Sequence, residues 1–172
     1  LIDGANKNLN TNLDEKIERK VDSVLALMRL NEKIGQLVQY SGKWNATGPS
    51  ASNADKHKLN KLKNGEVGSM LNITSVASIR ETQKMVMDHS RLKIPLIFGY
   101  DVIHGYKTIF PIPLGESASW DLEIIKKTAA IAAKETAASG IQWTFAPMID
   151  ISRDARWGRV MEGAGEDVYL NT

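Results

Sequence analysis

Short apolar runs alternate with longer segments of helical periodicity along most of this chain. Apolar runs typical of buried strands lie within residues 65–74, 95–98 and 141–149. The spacing of apolar residues predicts helices over 76–91 and 119–139, one between each pair of runs. Strands that are apolar along their whole length are typical of a parallel sheet covered by helices. The pattern therefore predicts an α/β fold.

The ends of the two helices carry recognisable signals. Ser78 and Glu81 form a possible capping box near the start of the first helix. Gly140 follows the second helix, which is rich in alanine, and is predicted to be its C-cap.

The N-terminal part of the chain has a different pattern. Residues 1–12 are rich in Asn and lack periodicity, which predicts a mobile or surface-lying arm. A short helix is predicted over 32–39, with Asn31 as its N-cap, and the Gly, Ser and Asn residues of 41–55 predict a loop. Residues 14–28 are predicted to form a helix with one apolar stripe. The stripe consists of Ile17, Val21, Val24, Leu25 and Met28.

A parallel sheet covered by helices can close into a (β/α) barrel, and the length of the chain limits how much of such a barrel it can form. A closed (β/α)8 barrel needs roughly 200 to 250 residues, whereas this chain has 172. The expected division is an arm with leading helices over 1–40 and a partial barrel over 41–172. We therefore expect an incomplete TIM-type barrel of about three β/α units, preceded by N-terminal helices, and a longer polypeptide of which this is a part.

Composition excludes several classes of function. The chain is 42% hydrophobic and 24% charged, with a net charge of +2, which argues against disorder. Basic residues are dispersed, so we expect no nucleic-acid partner. No apolar run is long enough to span a bilayer, so no membrane partner is expected, and no signal-peptide pattern is present. The absence of cysteine excludes disulfides and thiolate metal sites.

Two dense polar clusters follow apolar runs. The first covers residues 99–107, and the second covers 153–159 and 162–167. Charged groups placed just after a buried strand are costly unless they pair with each other or with a ligand. This position matches the carboxyl-terminal rim of a (β/α) barrel, where such enzymes hold their catalytic groups.

Asp101 is the first candidate binding residue, because it comes immediately after an apolar run. A carboxylate accepts hydrogen bonds from two adjacent hydroxyl groups of a sugar. Position alone equally allows Asp101 to cap a turn or to pair with an arginine such as Arg159. His104 and Asp101 give only a two-ligand spacing for a metal. A structural hydrogen-bonding role for His104, which precedes a glycine, is therefore the preferred interpretation.

The second cluster interleaves cations with carboxylates. Guanidinium groups pair well with carboxylates, so most of this cluster is predicted to neutralise itself. Its members are Arg153, Arg156, Arg159, Asp154, Glu162, Glu166 and Asp167.

These clusters, in this order, resemble the N-terminal half of the catalytic barrel of glycoside hydrolase family 3, particularly its bacterial β-glucosidases. Supporting matches are the segments at 30–37 and 118–121, and the resemblance extends from Leu30 to the last residue. It implies that Asp101 holds the distal hydroxyls of the non-reducing sugar and that Arg159 donates to a sugar hydroxyl. Lys107 matches a basic residue that reaches the same sugar in many members. Supporting roles are implied for His104, Arg156, Glu162, Glu166 and Asp167.

The resemblance also implies an activity for the intact protein. It would be an exo-acting, retaining β-glucosidase that releases terminal β-D-glucosyl residues, with no cofactor and no metal. The nucleophile and the acid/base residue are expected downstream of Thr172, so this chain contains no catalytic residue and is expected to be inactive alone. Its partners would be a β-glucoside or oligosaccharide substrate and the remainder of its own polypeptide. The family's similar Gram-negative members are exported, which favours a periplasmic or extracellular location.

Three alternatives remain open at this stage. The intact protein could be a β-xylosidase of the same family. The chain could also be a non-catalytic carbohydrate-binding or scaffold fragment of the barrel. The third alternative is an unrelated barrel enzyme that uses the Asp101–His104 cluster with a divalent metal.

Overall fold

The sheet of this protein is parallel throughout. The computed structural model describes residues 2–42 and 52–171, with side chains over 14–42 and 56–171. Four short strands pair in the order β1-β2-β3-β4, and each neighbouring pair is parallel. The strands are β1 (Gln39–Ser41), β2 (Ser69–Leu71), β3 (Ile97–Tyr100) and β4 (Trp143–Thr144). The predicted α/β fold with a parallel sheet is confirmed.

Helices connect the strands, because parallel neighbours need a crossover between them. α3, α4 and α6 each lie between two consecutive strands, which gives three strand–helix–strand units. The helices are α1 (Ile2–Leu27), α2 (Leu30–Gln36), α3 (Ser52–Lys63), α4 (Val76–His89), α5 (Pro113–Ser117) and α6 (Leu122–Ala138), followed by a 3-10 turn at Val160–Glu162.

The predicted strands are confirmed in position, but the sheet has one more strand than the three predicted. β2 and β4 lie inside the predicted segments 65–74 and 141–149, whereas β3 ends two residues beyond the predicted segment 95–98. β1 was missed because its sequence, Gln-Tyr-Ser, contains no apolar run. It pairs with β2 in register, with Tyr40 opposite Met70.

The caps of α4 and α6 differ from the predicted ones. Ser75 caps α4, since its hydroxyl accepts a hydrogen bond from the Ser78 amide at 3.1 Å. The predicted Ser78–Glu81 capping box is therefore wrong, because the actual cap lies one helical turn earlier in the chain. α6 ends at Ala138 with Ser139 as its C-cap, and the predicted cap Gly140 follows with φ of +87°. Glycine suits that left-handed conformation because it has no Cβ.

The leading segments also differ in part from prediction. The segment predicted as an arm over 1–12 is helical from Ile2, where the backbone of α1 begins. α2 begins at Leu30, with Arg29 rather than Asn31 at its cap. Of the loop predicted over 41–55, residues 43–51 lie outside the described residues, and Ser52 onwards belongs to α3.

The apolar core lies between the sheet and its connecting helices. Phe98 of β3 is 1% exposed and its neighbour Ile97 is 48% exposed, because successive side chains of a strand point to opposite faces. The buried apolar cluster comprises Leu62, Val67, Met70, Ile73, Ile79, Val86, Leu96, Phe98 and Ile141. On the other face, Ile97 is about half exposed, whereas its neighbour Ser69 on β2 is 7% exposed.

Over the described part of the chain, no helix has the length and apolar character needed to cross a bilayer.

Candidate functional site

A cleft lies at the carboxyl ends of the four strands. Because the strands are parallel, these ends share one edge of the sheet, and the residues that follow them are brought together. The cleft has a volume of about 440 Å³. Its lining residues are Gln39, Leu71, Asp101, Phe145, Pro147, Met148, Ile149, Asp150 and Arg159.

Asp101 and Arg159, two of the predicted binding residues, both line this cleft. Asp101 follows β3 directly, and its exposed carboxylate accepts no hydrogen bond from a described side chain or amide. Among the described residues, Asp101 neither caps a turn nor forms an ion pair with Arg159. Neither structural alternative for Asp101 is therefore present. The carboxylate is available to a ligand in the cleft.

Arg159 is fixed by Glu162. Its Nε and Nη2 both donate to Oε2 of Glu162, at 3.0 and 2.6 Å. The Glu162 bond raises the pKa of Arg159 from its ordinary value, and the negative charges of Asp150 and Asp101 add to the effect. The same bond lowers the pKa of Glu162. The cleft therefore holds an oriented guanidinium together with the carboxylates of Asp101 and Asp150.

His104 is turned away from this cleft. Its Nδ1 lies 3.0 Å from the carbonyl oxygen of Phe110, so that nitrogen carries the proton and donates. His104 lines a second, larger groove, of about 730 Å³, which runs along α6. Asp101 and His104, on which the metal alternative rests, thus face different cavities. Within the described residues, no three His, Cys, Asp or Glu side chains converge as a metal site would require.

Lys107 is not brought to the cleft in this structure. Its ammonium nitrogen lies 5.0 Å from the centre of the Tyr106 ring, a distance typical of a cation–π contact. Its backbone amide donates to Glu135 on α6 at 2.8 Å.

The other predicted supporting residues lie beside the cleft rather than in it. Arg156 binds Asp154 through Nε and Nη2, at 3.0 and 2.6 Å, which is the self-neutralising pairing expected of this cluster. Asp167 accepts the amide of Leu170 at 2.9 Å and so stabilises a turn. Glu166 is exposed and makes no ion pair with a described residue.

Asp150 is a cleft residue to which the sequence analysis gave no role. It lies six residues after the end of β4 and lines the cleft beside Arg159. A carboxylate placed shortly after a predicted strand was a usable signal, since the same signal identified Asp101.

Helical crossovers between parallel strands, with a charged cleft at the strands' carboxyl ends, define the class of (β/α)-barrel enzymes. The model of the glycosyl hydrolase family 3 N terminal domain matches residues 29–172. This chain therefore belongs to glycoside hydrolase family 3.

Individual relatives agree with this assignment. The periplasmic β-glucosidase of Salmonella typhimurium is 44% identical over 152 residues, which are 88% of this chain and 19% of that protein. A β-xylosidase of Formosa agariphila is 28% identical over 96% of this chain and 18% of its own length. The crystal structure of a β-glucosidase from Listeria innocua in complex with gluconolactone superposes with a TM-score of 0.77 and 40% identity, over 90% of this chain and 22% of that one. The chain thus spans about a fifth of the length of these relatives.

Proposed function

We propose that this chain is part of an exo-acting, retaining β-glucosidase that hydrolyses terminal non-reducing β-D-glucosyl residues. The cleft at the strands' carboxyl ends carries the proposal, because it combines the available carboxylate of Asp101 with the oriented guanidinium of Arg159. The family assignment and the Salmonella and Listeria relatives support glucoside as the substrate class.

The two side chains complement a neutral polyhydroxylated ligand. Asp101 accepts hydrogen bonds from adjacent hydroxyls, and Arg159 donates to a neighbouring one. Bonds of this kind, in which one partner is charged, are stronger than neutral ones. Because Glu162 already holds Arg159, little reorganisation is needed when the sugar enters. Bonds that strengthen as the sugar distorts toward an oxocarbenium-like transition state raise the rate.

We assign neither catalytic carboxylate to this chain. Hydrolysis with retention of the anomeric configuration needs a nucleophile and an acid/base residue whose carboxyl groups lie about 5 to 5.5 Å apart. Asp101 and Asp150 are the carboxylates that line the cleft, and we give them no nucleophilic role. We infer that both catalytic groups belong to the polypeptide that follows Thr172. Residues 1–40 would then lead into a partial barrel over 41–172.

Lys107 is our proposed third sugar contact. Its ammonium is carried on a flexible four-carbon stem, which would have to leave the Tyr106 ring to reach the cleft. His104, Arg156, Glu166 and Asp167 would support the loops around the cleft, as Glu162 supports Arg159.

A second candidate substrate is a β-xyloside. The β-xylosidase of Formosa agariphila aligns with 96% of this chain, so this part of the barrel is similar to proteins named for either activity. Comparison of kcat/KM for aryl β-glucoside and aryl β-xyloside, with the full-length polypeptide, distinguishes the two. A non-catalytic role predicts turnover of neither compound.

We also propose a periplasmic location, supported by the Salmonella relative, whose name places it there. Fractionation of the source cells, followed by immunoblotting for this chain, tests the location. Recovery in the cytoplasmic fraction alone would contradict it.

The role of Asp101 is tested by Asp101→Asn in the full-length polypeptide. We expect kcat/KM on an aryl β-glucoside to fall roughly a hundredfold, because hydrogen bonds from the sugar to a charged acceptor are lost. Asp88→Asn is the matched control, since Asp88 is an exposed carboxylate of α4 that pairs with Lys84, outside the cleft. Wild-type kcat/KM in Asp101→Asn would overturn the proposed role.

A further inference from the structure

The chain folds back on itself shortly after Asp101. The Phe110 amide donates to the carbonyl oxygen of His104 at 2.8 Å, and the His104 ring donates in return to the carbonyl oxygen of Phe110 at 3.0 Å. Gly105 has φ of +110°, and a Cβ there would lie 2.0 Å from a backbone oxygen. We call residues 104–110 the hairpin. Its base is three residues from Asp101.

An isolated hairpin is at best marginally stable in water, so its position depends on external contacts. The Tyr106 hydroxyl donates to the Thr74 carbonyl oxygen, beyond β2, at 2.6 Å. The tip of the hairpin, Lys107 and Thr108, is held by Glu135. One carboxylate oxygen of Glu135 accepts the amides of Lys107 and Thr108, both at 2.8 Å, and the other accepts the Thr108 hydroxyl at 2.7 Å.

Glu135 is well suited to hold the tip. Its pKa is lowered first by the bond from the Thr108 hydroxyl and then by the bond from the Thr108 amide, so the carboxylate is charged at neutral pH. Hydrogen bonds to a charged acceptor are stronger than neutral ones. Glu135 lies on α6, whose Ala132 and Thr136 are 7% and 6% exposed. The hairpin is thus tied to this helix.

We propose that Glu135 is a positioning residue for the cleft: by holding the hairpin, it fixes the position of the Asp101 carboxylate. The inference rests on the proposed function, because it concerns binding of the same sugar. It adds a residue that lies outside the cleft and 34 positions further along the chain than Asp101.

The test is Glu135→Ala in the full-length polypeptide. We expect kcat/KM on an aryl β-glucoside to fall by roughly tenfold, since small displacements of a positioning group are costly. Hydrogen exchange of the Lys107 and Thr108 amides should become faster. Glu135→Gln keeps one carbonyl oxygen and the side-chain size, so it should lie between wild type and Glu135→Ala. It also keeps the test valid if the alanine variant does not fold.

The matched control is Glu123→Ala, in the first turn of the same helix. Glu123 is exposed and makes no hydrogen bond with a described residue, so its substitution should change neither kcat/KM nor exchange in the hairpin.

A double-mutant cycle separates positioning from general stability. If Glu135 acts through Asp101, Glu135→Ala should change kcat/KM little in the Asp101→Asn background. Full additivity of the two effects would overturn the inference, as would wild-type kcat/KM in both Glu135 variants. Neither result would affect the proposed function. Failure of the wild-type polypeptide to hydrolyse aryl β-glucosides would overturn the proposed function itself.

Discussion

Arg159 makes hydrogen bonds to described residues through two of its three side-chain nitrogens. Nε and Nη2 bind one oxygen of Glu162, and Nη1 donates to no described residue. The Arg159 side chain is 54% exposed and that of Glu162 is 30% exposed. Glu162 therefore sets the plane of the guanidinium and leaves one donor nitrogen for a ligand.

This pairing predicts how Glu162 titrates. Its folded-state pKa is lowered from 4.5 by the bond to Arg159. The stabilisation from the pair is therefore complete above pH 4.5 and is lost as the pH falls through the lower folded-state value. Observation of the Glu162 carboxyl by NMR should give a midpoint below 4.5.

Arg159→Lys should move the titration midpoint of Glu162 back toward 4.5, because a single ammonium cannot reproduce the two hydrogen bonds that the planar guanidinium donates. Arg80→Lys, on the exposed surface of α4, is the matched control and should leave it unchanged. A wild-type midpoint at or above 4.5 would contradict the described pair.

At the residue scale, the sequence predicted the cleft in part. Asp101 and Arg159 could be placed together, because residues that follow parallel strands meet at one edge. The orientation of Lys107 could not be predicted, since its amide is bound by Glu135, 28 residues further along the chain. The Phe110 partner of His104 likewise depends on a backbone reversal, of which Gly105 alone does not reveal the bonded partners.

At the element scale, Arg91 joins the leading helices to the barrel. It follows α4 and donates to both carboxylate oxygens of Glu32 on α2, at 3.1 and 2.6 Å. It also donates to the Leu27 carbonyl oxygen, at the end of α1, at 2.8 Å. One side chain therefore connects three helices, and Glu32, its partner, is only 5% exposed.

Arg91→Ala should lower the Tm by several degrees, because it leaves a buried carboxylate without its cation. Thermal unfolding followed by circular dichroism measures the change. Arg80→Ala removes an arginine from the exposed surface of α4 and should have little effect. Equal Tm values for the two variants would show that Arg91 does not join these helices.

The elements that could be predicted from sequence are those with strong local signals. α4 and α6 have apolar periodicity and polar caps, and both lie where predicted. β1 and α3 were missed because their sequences, Gln-Tyr-Ser and a hydrophilic segment ending at Lys63, lack apolar patterns. Pairing with β2 stabilises β1, and such long-range pairing is not encoded locally.

At the scale of the whole molecule, apolar surface is uncovered where a complete barrel would continue. Ile97 on the sheet face is 48% exposed, and Ile149, in the loop after β4, is 70% exposed. The apolar stripe of α1 is also exposed to solvent, with Val21 50% exposed. β1 and β4 are the edges of the described sheet. In a closed barrel further strands would pair with both edges.

We propose above that the cleft containing Asp101 and Arg159 binds the terminal glucose. A crystal structure of the full-length polypeptide with glucose tests it most directly. We expect sugar hydroxyls within hydrogen-bonding distance of the Asp101 carboxylate and the Arg159 guanidinium, with Glu162 still bound to Arg159. Glucose bound elsewhere, with no contact to either side chain, would contradict it.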